Sequence, residues 1–316
     1  MIVKKKSNKF LSLIKTSFYS HDYMCFGIVS IYTILDLIFF KQINNSLIVL
    51  ILNLLILISI ILIAIKHNEL NSKLTYFLHS FYIVPVFYLG YEQIHLYIPQ
   101  VNSNCYDPAL AQIDKYIFGV NPTQWIYQFS NSILTEYLQW MYCLFQIIVL
   151  SIAVDFYLRR DDKNFRFYTM VIMFGFFSSY LIYFLFPAIG PRFEVHNFWD
   201  INKELPGVWA TPFLRNFVDK ANGVKVGMTD FFKYVNKDCM ASGHTMMSLL
   251  AVMLSFKLNS KLKWFMLISA LSIIISTIYL RYHYTVDIIA GTILAVFVFI
   301  MIPLLNKFWI KKGIKI

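Results

Sequence analysis

The sequence predicts an all-α polytopic membrane protein, a bundle of about eight transmembrane helices. Three observations predict it. Hydrophobic residues make up 58% of the 316 and charged residues only 14%, against roughly 25% charged in an ordinary soluble domain. Mean hydropathy is +0.60. The apolar residues fall in separate runs, each near the ~20 residues that cross a bilayer as helix.

In chain order, Lys4, Lys5, Lys6, Lys9 and Lys15 alternate with Phe10, Leu11, Leu13, Ile14 and Phe18. This predicts a short interfacial helix over 4–19. No small-residue cleavage site follows the first apolar run, so a cleaved signal peptide is not expected. Spans are expected near 23–40, 47–65, 75–97, 135–157, 167–187, 242–257, 263–280 and 285–305. Asp36 and Asn53, polar within the first two, predict interhelical hydrogen bonds. The third ends in Glu92-Gln93-Ile94-His95, read as interfacial. The stretch 106–125 is too polar to span. Leu110, Ile113, Ile117 and Phe118 give it an amphipathic helix on the outer surface, ended by an Asn121-Pro122 turn, with Thr123 as the candidate cap of the next helix. The loop 188–240 is the longest polar stretch and holds Trp199, Pro206, Trp209 and Pro212; a loop of this length suits a lid or selectivity element. Gly291 and Ala295 give the last span a face for close helix approach. Three regions follow: 1–74, a basic segment with two accessory spans; 75–306, the core; 307–316, a basic tail.

The formal charge is +11, and the even number of spans puts 18 of the 28 Lys and Arg on the side of the two termini. That bias makes the termini cytoplasmic and points to anionic lipid headgroups rather than nucleic acid as partners. Seven of the other ten lie in loop 188–240.

Ionisable residues at membrane depth are costly and mark function by default. Thr277–Gly291 places Arg281, His283 and Asp287 where a plain span would hold leucines. His283 and Asp287 are four apart, on one face of a helix if helical. The carboxylate would take the proton of one imidazole nitrogen and leave the other free to attack; a purely structural pair is the competing reading. Cys239-Met240-Ala241-Ser242-Gly243-His244-Thr245 opens an apolar run with free N–H groups, a hydroxyl and an imidazole, an anion-binding helix start. Pro187-Ala188-Ile189-Gly190-Pro191-Arg192 ends another run with an arginine suited to phosphate. No Cys-rich or His-rich tract suggests a metal site.

Taken in order, these three motifs resemble the type 2 phosphatidic acid phosphatase superfamily, whose fold and site are shared with vanadium haloperoxidases. Gly-Pro-Arg, Ser-Gly-His-Thr and His-Tyr-Thr-Val-Asp look most like the branch of inositol phosphorylceramide and sphingomyelin synthases. The resemblance covers roughly Tyr97 to Ile302. It implies a six-helix core, His283 as nucleophile, Asp287 holding its tautomer and His244 as acid and base. Arg192, Ser242, Gly243 and Arg281 would hold the phosphate, with no metal and no cofactor. Two positions depart from the family pattern: Leu185 stands at the first-motif lysine and Thr277 at the third-motif arginine. The resemblance leaves two activities open, a headgroup phosphotransferase and a lipid phosphate phosphatase; the rival from another class is a transporter or binding membrane protein that uses His283–Asp287 as a proton relay. Of the four cysteines, Cys25 and Cys143 fall in spans. Cys105 and Cys239 fall in extracytoplasmic loops, as a bridge or as two separate thiols.

Overall fold

The computed structural model describes residues 11–70 and 72–315. Among them the regular structure is helical, and the one β pairing is an isolated bridge between Tyr19 and Lys315. Residues 11–17 are helical; the part of the expected interfacial helix before them lies outside the described residues. The chain forms an all-α polytopic bundle in two compact units, Met1–Val101 with Met301–Ile316, and Asn102–Ile300.

The first unit holds α1 (Ser20–Ile38), α2 (Ser46–Leu70), α3 (Lys73–Phe81) and α4 (Ile83–Val101). Helix α1 packs on α2 and α4, and α2 on α3. Leu47, Ile51, Leu54, Ile58 and Leu62 of α2 are exposed, as suits a helix whose outer face meets hydrocarbon. Asn53 Oδ1 accepts a hydrogen bond from Gln93 Nε2 at 2.8 Å, the interhelical bond expected between α2 and a neighbour. Asp36 departs from expectation. Both of its carboxylate oxygens are buried without a hydrogen-bond partner. The neighbouring α4 residue Tyr97 packs its ring on Tyr32 at 5.6 Å and donates its hydroxyl to Gln93 at 3.4 Å. The span expected as one helix at 75–97 is broken at Tyr82 into α3 and α4.

The second unit begins with α5 (Asp107–Phe118), the expected amphipathic helix, closed by Gly119 at φ +73°. The next short helix, Pro122–Trp125, is capped by Asn121, whose side chain accepts from the Thr123 N–H, rather than by Thr123. Then come α6 (Ser132–Cys143), α7 (Phe145–Leu158), α8 (Asp162–Leu185), α9 (Thr211–Ala221) in the long loop, α10 (Gly243–Lys257), α11 (Lys263–Tyr279) and α12 (Thr285–Lys311). Helix α10 packs against α7, α8 and α11, burying Met246, Met247, Leu250, Ala251 and Leu254 completely.

Helix falls at all eight expected places, but not every helix has full transmembrane length. Among the described residues four (α1, α2, α8 and α12) are long and apolar enough, and α6 with α7, bent by 54°, makes a fifth if counted as one. Helix α10 has 15 residues, about 22 Å at 1.5 Å per residue, short of the ~30 Å hydrocarbon layer. Enclosed by its neighbours, it has little need for length against lipid. Gly291 shows why a small residue stands on α12: a β-carbon there would come within 2.6 Å of the Ser242 carbonyl at the start of α10.

Candidate active site

The second unit brings the three sequence motifs together through backbone hydrogen bonds. The Cys239 N–H donates to Ala188 O (3.0 Å), the Arg192 N–H to Arg281 O (3.1 Å) and the Ser242 N–H to Asp287 O (3.0 Å). Each motif is thus bonded to the other two. Gly190 makes one approach possible: at φ +103°, any β-carbon would lie 2.6 Å from Tyr282 O.

Two carboxylates of α5 complete the assembly. Asp107 accepts the N–H groups of Ile189 (2.9 Å) and Gly190 (2.8 Å) and the hydroxyl of Tyr284 (3.1 Å), so it joins the first motif to the third. Asp114 accepts the N–H groups of Thr285 and Val286, both at 2.8 Å. These are unsatisfied donors at the start of α12. Burial pushes both carboxyls above the usual range, and the N–H donors pull them partly back.

His283 does not lie on a helix face with Asp287. It sits in the turn between α11 and α12, with its N–H, like that of Tyr282, held by Thr277 O. Its Nδ1 is 3.0 Å from the Cys239 carbonyl and 3.5 Å from Asp287 Oδ2. The carbonyl is therefore the nearer acceptor for an Nδ1 proton, and that tautomer leaves Nε2 with its lone pair. Asp287 Oδ2 instead accepts the Tyr284 N–H (2.9 Å), as an acidic third helical residue reaches back to the cap. It also accepts the Cys239 thiol at 2.9 Å. Burial, and then the adjacent Asp287, push that thiol well above its ordinary range, so it stays a donor. Cys239 and Cys105 are separate thiols.

His244 stands in the first turn of α10. Its ring stacks on Tyr142 (4.2 Å between centroids), meets Phe145 at 4.1 Å and faces His283 edge-on at 5.6 Å. Tyr142 stacks in turn on Tyr282 at 4.0 Å. Tyr142 and Phe145 flank the break between α6 and α7, so the bend sets both rings around His244. The Ser242 hydroxyl caps α10 by accepting the Thr245 N–H at 3.2 Å, and Gly243 is the first residue of that helix.

Both arginines are buried and held by carboxylates of the long loop. Arg192 Nη1 is 2.5 Å from Asp219 Oδ1, and its guanidinium lies over Phe193 and Tyr282 at 4.5 and 4.7 Å. Arg281 pairs with Glu204 and lies over Tyr127 at 5.3 Å. Leu185 is exposed, and Thr277 is buried with its hydroxyl bonded to Ile274 O, so neither supplies the cation of the family pattern. Arg215 braces the loop through Ile201 O, Leu205 O and Asn202 Oδ1. Its pKa is lowered chiefly by burial, with Arg192 and Arg281 adding like-charge repulsion. His196 shares a 2.8 Å hydrogen bond with Thr123 and is pushed down to about 3 by burial, then by Arg281, so it is neutral near pH 7. Glu136 of α6 anchors the same loop by accepting the N–H groups of Val208, Trp209, Ala210 and Thr211.

Sequence reasoning missed Asp107, Asp114, Glu136, Cys239 as a donor, and the Tyr142–Phe145 clasp. The one available signal was the seven-residue spacing of Asp107 and Asp114, two turns along one face of an amphipathic helix. Asp107→Ala strands the Ile189 and Gly190 N–H groups and the Tyr284 hydroxyl, each costing about 1–3 kcal/mol when buried. We expect at least a tenfold loss of turnover and a lower unfolding temperature in detergent. Wild-type values for both would show that the carboxylate does not hold the motifs.

The family model described as PAP2 superfamily matches residues 109–301. A PA-phosphatase related-family protein of Dictyostelium discoideum is 31% identical over 125 residues, 38% of this chain and 21% of that protein. The chain thus aligns with only about a fifth of that relative's length. No solved structure matches significantly. With the family match running through more than half of the sequence and through all three motifs, the chain belongs to the PAP2 superfamily.

Proposed function

We propose that this chain is an integral-membrane enzyme that moves a phosphoryl group from a lipid phosphate by way of His283, as a headgroup phosphotransferase. The observation that carries this reading is the His283 imidazole. Its Nδ1 faces the Cys239 carbonyl at 3.0 Å, and its ring lies 5.6 Å from that of His244. In the first step Nε2 attacks phosphorus, the bond to the leaving lipid oxygen breaks, and His244 gives that oxygen a proton. In the second step the oxygen of an acceptor hydroxyl attacks phosphorus, the P–N bond breaks, and His244 takes the hydroxyl proton. Asp287 steadies the imidazolium that forms. Arg192 and Arg281 hold the phosphate oxygens, with the Ser242 hydroxyl and Gly243 N–H at the start of α10. The Asp219 and Glu204 carboxylates occupy the arginines until the substrate phosphate replaces them. Near-complete burial of Arg192, Arg281 and His283 supports an alcohol acceptor over bulk water. Lipid phosphate hydrolysis is the second reading, favoured by the name of the Dictyostelium relative.

The test is phosphate release and product formation from mixed lipid phosphates in detergent, with and without a polyol or lipid alcohol. Transfer gives a phosphorylated acceptor that grows with alcohol concentration. Vanadate blocks it, and it persists with EDTA and no added divalent cation. Free phosphate alone would establish the phosphatase reading; strict dependence on Mg²⁺ would overturn the mechanism.

The side of the membrane follows from charge. The Lys and Arg bias supports a cytoplasmic location for the sequence ends and an extracytoplasmic site. The pairing of Tyr19 with Lys315 supports a common side for those two residues. A reporter active only in the cytoplasm should give signal when fused at the C-terminus and none when inserted after Lys220. The reverse pattern would invert the topology.

A further inference from the structure

A second group of titratable side chains lies in the first unit, whereas the three motifs belong to the second. His21 and Asp22 open α1, His79 stands on α3, and His67 lies in the last turn of α2. Asp22 is fully buried and His21 and His79 nearly so. Asp22 Oδ2 is 3.1 Å from His79 Nε2, and Oδ1 is 3.4 Å from His21 Nε2. One ligand atom from each of the three lies within 4.8 Å of the others.

We propose that His21, Asp22 and His79 form a binding site for one divalent transition-metal ion of zinc chemistry, which ties α1 to α3. Two imidazoles and a carboxylate are a donor set that suits zinc. Bonds of 2.0–2.1 Å in a tetrahedron put ligand atoms about 3.3 Å apart; His79 Nε2 lies 3.1 Å from one oxygen of the Asp22 carboxylate and His21 Nε2 3.4 Å from the other. The carboxylate is held from outside as ligating carboxylates are. The Tyr19 N–H donates to Oδ2 at 2.7 Å and the Tyr82 hydroxyl to Oδ1 at 2.5 Å. The His79 ring stacks on His67 at 4.7 Å, which fixes its plane. The Lys315 ammonium does not serve Asp22: it donates to Thr16 O at 2.9 Å and lies over the Tyr19 ring. The competing account is a His–Asp–His hydrogen-bond network with one imidazole protonated. No tract in the sequence announces the site, because its ligands lie at 21, 22 and 79 and meet only on folding.

Such an ion is structural and enclosed, so it exchanges slowly and survives EDTA over the time of an assay. The test uses full-length protein purified in detergent through a tag without histidines, equilibrated with Zn²⁺, and freed of excess by gel filtration. Metal analysis should find about one zinc per chain in wild type and in His95→Ala and Cys239→Ser, and at least tenfold less in His21→Ala, His79→Ala and Asp22→Asn. The Cys239→Ser arm separates this site from the Cys239–His283–Asp287 group. Co²⁺ added to metal-free wild type should give the visible absorption of a four-coordinate N/O site, a readout that needs no variant to fold. Wild type without bound zinc and without that spectrum would overturn the proposal, as would folded His21→Ala and His79→Ala proteins that retain the metal.

Discussion

A single buried carboxylate ties two of the three sequence motifs together. Asp107 accepts two backbone N–H groups from the Gly-Pro-Arg loop and a hydroxyl from the turn that carries His283. Those segments are more than 90 residues apart in sequence, and each exposes donors that a bilayer cannot satisfy. Asp114, two turns further along the same helix, does the same for the start of α12. Helix α5, which sequence alone reads as an amphipathic helix on the outer surface, is thus a clamp. It turns unsatisfied backbone groups at two chain breaks, after α8 and before α12, into the contacts that fix the site.

The same logic runs through the long loop. Glu136 gathers four successive N–H groups, and Arg215 spends its donors on carbonyls at the other end. Between these anchors lie Glu204 and Asp219, paired with Arg281 and Arg192. A removed partner would leave a buried guanidinium uncompensated, which is expensive. The loop carboxylates therefore keep the arginines in place, and an incoming phosphate would offer them a better, doubly charged partner.

The helices and the three motifs were legible because each rests on local signals: apolar runs of near-spanning length, and Ser-Gly-His or Gly-Pro-Arg at their ends. What was not legible depends on residues distant in sequence. The bend at Leu144 has no proline or glycine beside it, whereas the break at Tyr82 is announced by Pro85, which has no N–H to carry one helix through; the rings at both places have partners elsewhere, Asp22 for Tyr82 and His244 for Tyr142 and Phe145. The four-residue spacing of His283 and Asp287 suggested one helix face. The chain instead turns at Arg281, φ +66°, and Asp287 serves the helix cap, leaving a carbonyl as the nearer group at Nδ1. Asp36 looked like Asn53 in sequence, yet only Asn53 finds a partner, because Tyr97 gives its hydroxyl to Gln93.

The central claim is that phosphorus bonds transiently to His283 Nε2. Rapid quenching of the enzyme during turnover with a phosphorus-labelled lipid, followed by peptide mapping, tests it most directly. The account predicts an acid-labile, base-stable phosphoryl group on the peptide containing His283, absent from His283→Ala, which also loses turnover. Label on another residue, or undiminished turnover in His283→Ala, would contradict it.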